Sequence, residues 1–125
     1  MRLLLDSHVF LWWKASDARL SAAMVHAIAD AADVFVSAAT AWELGLKVSL
    51  GKLRLPESVE DGIVSAGFRE LPVTFRHTRA AVVLPPHHHD PFDRMLVAQA
   101  ACEGLTLMTH DEKIVQYNVA ILRVP

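Results

Sequence analysis

HHHDPFDRMLVAQA, residues 87–100, begins as a loop and ends as a helix, and the point of change decides how the chain is read. Pro91 suits a first helical position: its φ is already near the helical value and the N–H it lacks would find no partner there. Asp90 before it is a natural N-cap, with a carboxylate that can accept from the backbone of the new turn. Asp93 then falls at the third position, where the helix dipole favours an anion. The run reaches Glu103 and meets Gly104, a residue type suited to closing a helix. A helix over 91–103 is therefore predicted, with Asp93, Val97 and Ala100 on one face. The small residues Ala98, Ala100 and Ala101 let it pack closely. Arg94, one position on from Asp93, points about 100° away and reads as a surface or scaffold contact.

Outward from that helix, apolar runs alternate with helical patterns. Strands are expected at RLLL (2–5), DVFVS (33–37), FRELPV (68–73), LTLMT (105–109) and VAILRV (119–124). Helices are expected at 9–15, 19–31, 40–48, 58–67 and 74–84, the last stopped by Pro85-Pro86, with a short one in DEKIVQY (111–117). Short connections and alternating types imply an α/β fold: a three-layer α/β/α sandwich whose central, mainly parallel sheet is covered on both faces. No repeat, low-complexity tract or linker interrupts it, so residues 1–125 are read as a single domain.

The totals agree. A chain of 125 residues, 53% hydrophobic, can bury a sizeable core. A net charge of −2 excludes a protein that coats nucleic acid non-specifically, which needs a strong basic excess, but not an enzyme that touches it locally. The single cysteine, Cys102, cannot form an intrachain disulfide and reads as a small buried hydrophobe, which suits a reducing compartment. MRLLLDSHVFLWW superficially resembles a signal peptide, but Asp6 and His8 interrupt the apolar run. No apolar run reaches membrane-span length, so a cytoplasmic location is expected.

In a parallel sheet of this kind every strand's carboxyl end lies beside the amino ends of the helices. That topology alone sends four acids to one edge: Asp6 after the first strand, Glu43 after the second, Asp93 in the 91–103 helix, and Asp111 after LTLMT. Ligands of open α/β sheets bind at that edge. Each acid also has a local explanation. Asp6, Asp90 and Asp111 can cap helices, and Thr40-Ala-Trp-Glu43 has the form of a capping box. The convergence is what local roles do not explain. Two carboxylates about 5 Å apart repel by roughly 3 kcal/mol at an effective dielectric of about 20, so a cluster needs a proton, a basic partner or a cation. An all-oxygen cluster suits Mg²⁺ or Mn²⁺.

Other residues invite functional readings of lower weight. His87, His88 and His89 diverge as consecutive side chains and lack companion ligands at zinc spacing, so they read as a solvated loop. Lys47, Lys52 and Arg54 form one basic group, and Arg76, His77 and Arg79 another; either could meet an anionic substrate. Trp12 and Trp13 are adjacent, so one is expected to face a partner, while Trp42 reads as core.

LLLDSHVFLWW, SAATAWELGLKVSLGKLRLP, HHHDPFDRMLVAQA and LTLMTHDEKIVQYNVAIL, in that order and spacing, resemble the PIN-domain toxins of the VapC type from bacterial type II toxin–antitoxin pairs. The resemblance implies a usually dimeric Mg²⁺- or Mn²⁺-dependent endoribonuclease, often aimed at structured RNA such as tRNA, and blocked by a cognate VapB-type antitoxin. By position, Asp6, Glu43, Asp93 and Asp111 match the family's catalytic acids. Asp6 and Asp93 are expected as the main metal ligands. Glu43 and Asp111 would hold a second ion, orient the attacking water or act as base, and Asp90 is an alternate ligand. Ser7 and Thr109 would steady the ligands by hydrogen bonds, and Lys47 and Arg94 would contact substrate. A PIN-like module that has lost activity and only binds a protein partner is the alternative. A phosphoryl-accepting receiver domain fits less well, because Asp6 stands alone and FRELPV contains no Asp.

Overall fold

Leu3, Leu4 and Leu5 have no solvent exposure at all, which puts the first strand at the centre of the molecule. In a computed structural model covering residues 1–125, β1 (Arg2–Leu5) pairs in parallel with β2 (Asp33–Ser37) on one side and β4 (Thr106–Thr109) on the other. β3 (Arg69–Leu71) extends the sheet beyond β2, and β5 (Ile121–Arg123) extends it beyond β4. The order is β3-β2-β1-β4-β5 and every pairing is parallel, so the expected mainly parallel sheet is wholly so.

Alternation along the strands divides the core into two layers. Leu3, Leu5, Val34, Val36 and Met108 face one way. There they meet α1 (Ser7–Lys14), α2 (Ala22–Asp30) and α4 (Val59–Ser65) through Val9, Phe10, Trp12, Ile28, Val59 and Ile63. Leu4, Phe35 and Leu107 face the other way, onto Leu96, Val97 and Ala100 of α6 (Pro91–Glu103) and Ile114 of α7 (Glu112–Val115). α5 (Phe75–Val82) lies against α6, and α3 (Ala38–Ser49) follows β2 directly. Each fully buried aliphatic side chain contributes about 1.5–3 kcal/mol through removal of apolar surface from water.

The helix starts are where sequence and structure agree most closely. Asp90 Oδ1 accepts from the N–H groups of Phe92 (2.8 Å) and Asp93 (3.3 Å), and Gly104 closes α6 at φ 66°. Asp6 caps α1 and Asp111 caps α7. The capping box expected at Thr40 and Glu43 does not form. Ser37, the last residue of β2, is itself the N-cap, and its Oγ accepts from Ala39 N–H at 3.0 Å. The helix therefore starts inside the strand's own end, leaving Thr40 buried within its first turn and Glu43 in its second.

Two expectations about tryptophan fail. Trp42 is 65% exposed, because α3 turns that face outward, with Phe92 edge-on to the indole at 5.2 Å. Trp12 is buried, and Trp13 is half-buried against Phe68, so neither stands free for a partner. The second basic group loses one member: His77 is buried, donating from Nε2 to Glu103 while Nδ1 accepts from Thr74 N–H, and Arg76 and Arg79 stay exposed. No helix is long and apolar enough to cross a membrane.

Candidate active site

The carboxyl edge of the sheet gathers the acids through four helix starts. Asp6 is buried, and both of its oxygens are occupied. Oδ1 accepts the Val9 N–H at 2.8 Å as the α1 cap, and Oδ2 accepts the Thr109 hydroxyl at 2.5 Å. Burial pushes the Asp6 carboxyl up; the Thr109 and Val9 hydrogen bonds and the nearby His110 and His8 rings act against it without reversing it. The Thr109 hydroxyl also accepts from Asp111 N–H at 3.0 Å, so one side chain ties the ends of β1 and β4 together.

Glu43 is held from two sides. Its Oε1 accepts the Ser7 hydroxyl at 2.5 Å, and its Oε2 lies 3.4 Å from Lys47 Nζ one helical turn away. Lys47 remains 43% exposed in its side chain, so that pair contributes at most about 1 kcal/mol and leaves the ammonium at the rim of the site.

Asp93 and Asp111 come together on a residue read as solvated loop. His88 Nε2 lies 2.9 Å from Asp93 Oδ2 and 3.0 Å from Asp111 Oδ2, and its side chain is only 11% exposed. The backbone N–H of Asp90 donates to His88 Nδ1 at 3.1 Å, so Nδ1 offers its lone pair and Nε2 carries the hydrogen. A single N–H thus bridges two carboxylates. The three ligand-capable atoms lie within 4.8 Å of one another, while Asp6 and Glu43 stand outside that trio.

The electrostatics follow. Burial, then the charges of Asp90, Glu43 and Asp111, push the Asp93 carboxyl up to about 7, with His88 pulling it down. Desolvation is also the largest influence on Asp111. It is outweighed by hydrogen bonds from the Lys113 and Ile114 backbone and by His88, which hold that carboxyl below its usual range. A partly buried group of acids with one member forced toward its neutral form is what a divalent cation relieves. The carboxylate donors suit Mg²⁺ or Mn²⁺, whereas His88, with its lone pair on Nδ1 already engaged, serves better as a donor to the ligands than as a ligand.

Arg94 is committed to the scaffold. Its Nη1 donates to the carbonyls of Pro85 and His88 and to the Tyr117 hydroxyl, and Nη2 donates to the carbonyls of Ala81 and Leu84, all at 2.9–3.3 Å. Those five acceptors engage both terminal nitrogens, which leaves only Nε–H for the substrate contact expected of it. Its work is to pin the 84–90 loop, and with it His88. His88 had no signature in the sequence, because its placement depends on backbone bonds from that loop and not on any spacing.

The chain matches the PIN domain family model over residues 3–121. Ribonuclease VapC22 of Mycobacterium tuberculosis is 33% identical over 115 residues, which cover 90% of this chain and 88% of that relative. Solved structures share the fold at lower identity. They include VapBC2 of Rickettsia felis bound to a promoter DNA fragment (TM-score 0.72, 12% identity, 98% of both chains). A toxin–antitoxin complex of Klebsiella pneumoniae matches at TM-score 0.71 and 14% identity, again over 98% of both chains.

Proposed function

Because the chain belongs to the PIN-domain family, we propose that it is a metal-dependent endoribonuclease acting as the toxin of a type II toxin–antitoxin pair. Asp6, Glu43, Asp93 and Asp111 are assigned as its catalytic carboxylates. The observation that carries this reading is the meeting of Asp93 and Asp111 on one buried N–H, beside Glu43 and at the sheet edge where Asp6 ends β1. The ribonuclease name of the M. tuberculosis relative supports the activity, and the toxin–antitoxin complexes among the structural neighbours support the partner.

When bound, Mg²⁺ or Mn²⁺ supplies charge neutralisation in the cluster and stabilisation of the phosphoryl and leaving oxygens. Asp6 and Asp93 would be the main ligands, through lone pairs that their hydrogen bonds leave free, and Glu43 and Asp111 would hold a second ion; Asp90 stays with its cap. Ser7 fixes the Glu43 rotamer so that its second oxygen can orient or deprotonate the attacking water. Thr109 does the same for Asp6, and its hydrogen bond keeps that buried carboxylate aimed. Lys47 stands at the rim, where a substrate phosphate meets it. The chain is read as one domain over 1–125, a homodimer of the cytoplasm, held silent by a VapB-type antitoxin.

Cleavage of total small RNA by nickel-free protein tests this directly, comparing Mg²⁺, Mn²⁺ and EDTA, with Asp6→Asn as the contamination control. Metal-dependent cleavage that disappears in Asp6→Asn and in a folded Asp93→Asn variant is expected. An Asp93→Asn variant as active as the parent would overturn the site assignment. Silence of the folded, antitoxin-free protein in every metal would favour the inactive binding module instead.

A further inference from the structure

Two hollows lie along the helices that carry the acids, and their charges are opposite. One, of about 640 Å³, sits between α3 and α4 and is lined by Glu60 and Glu70 with no basic residue. The other, of about 510 Å³, sits between α1 and the 53–58 segment, where His8, Lys14, Arg19 and Arg54 stand against Asp17 and Glu57. Two of its cations are already matched, Lys14 with Glu57 at 3.0 Å and Arg19 with Asp17 at 2.7 Å. Arg54 is exposed and has no acidic partner.

The helix that supplies one wall also supplies Asp6. His8, Leu11, Trp12 and Ala15 recur at helical spacing along this hollow, and Asp6 is the N-cap of the same helix. His8 therefore marks the end of the hollow nearest the carboxylates. It is exposed, while its ring is already fixed: near-parallel to Trp12 at 6.1 Å and edge-on to His110 at 5.1 Å. Trp12 is buried, so His8 is the open end of this aromatic column.

We propose that this hollow is a substrate subsite that takes the RNA strand on one side of the scissile bond, with an unpaired base stacked on His8 and a backbone phosphate on Arg54. The inference rests on the ribonuclease reading above. Stacking accepts any base, because each has a π face, and an arginine fork matches phosphate oxygens in pairs. A paired base offers no free face, so the subsite selects single-stranded or looped RNA at that position. The acidic hollow repels the same strand.

The test uses the full chain carrying Asp6→Asn, which separates binding from cleavage. The probes are a mixed-sequence single-stranded RNA of about 16 nucleotides and a blunt duplex of the same length. The single strand should bind more tightly than the duplex. Arg54→Gln should lower the slope of log affinity against log salt by about one. His8→Ala should weaken single-strand binding about fivefold or more, and His8→Phe, which keeps an aromatic face and removes the ring nitrogens, should restore it. In the cleaving protein, Arg54→Gln should raise KM more than it lowers kcat, and Val64→Ser in the acidic hollow should change neither.

An unchanged salt slope in Arg54→Gln, or no rescue by His8→Phe, would overturn the subsite. So would loss of antitoxin affinity with RNA binding intact, which would assign the hollow to a protein. Absence of both cleavage and RNA binding in the parent chain would defeat the ribonuclease reading itself. Ordinary cleavage with unaltered variants would defeat only the subsite.

Discussion

Asp93 gives the metal-free protein's stability a dependence on pH. Its carboxyl is raised from 3.8 to about 7, by burial first and by neighbouring acids second. A raised acid favours folding fully below its unfolded value, and that contribution is lost as pH rises through about 7. Asp93→Asn should therefore raise the melting temperature in EDTA at about pH 8 and change it little near pH 4. Parallel melting curves across that range would refute this. His88→Ala should cost about 1–3 kcal/mol in EDTA, because two carboxylates lose their shared donor, and Mg²⁺ should recover much of the loss. Thermal melts with and without the ion measure both. The acids themselves were legible in the sequence, since topology sends them to one edge. His88 was not, because Asp90 N–H and the Arg94-braced loop aim it. Trp42 was misread because apolar character does not say which face of a helix looks outward.

At the scale of elements, the caps carried the reading. Asp90-Pro91 and Gly104 bounded α6 correctly because both ends use local chemistry that one short segment contains. The start of α3 was misplaced because strand and helix share Ser37, and no loop separates the two periodicities. Substituting Gly104 with Ala should cost about 1–2 kcal/mol; the residue sits at φ 66° with open space around it, so the loss is conformational and not steric. Chemical denaturation reads that value, and Asn at the same position should lose less. Arg94→Lys should loosen the 84–90 loop, since one ammonium cannot serve five acceptors spread over two segments. Faster proteolysis of that loop and weaker Mg²⁺ affinity are expected, while an unchanged cleavage pattern would show that the loop is held by other contacts.

Across the whole molecule, β1 is placed early in the chain and paired last on one side. It finds β2 about thirty positions on, but β4 only at Thr106–Thr109, and the Thr109 hydroxyl that steadies Asp6 arrives 103 residues after its partner. While a ribosome is still translating this message, the nascent chain carries Asp6, Glu43 and Asp93 without the strand that completes their edge. A ribosome-arrested chain halted before residue 106 should therefore cut no RNA, read as intact RNA after isolation of the stalled complexes. The order in which the message is read thus delays the chemistry: three of the four acids are made before the strand that completes their edge.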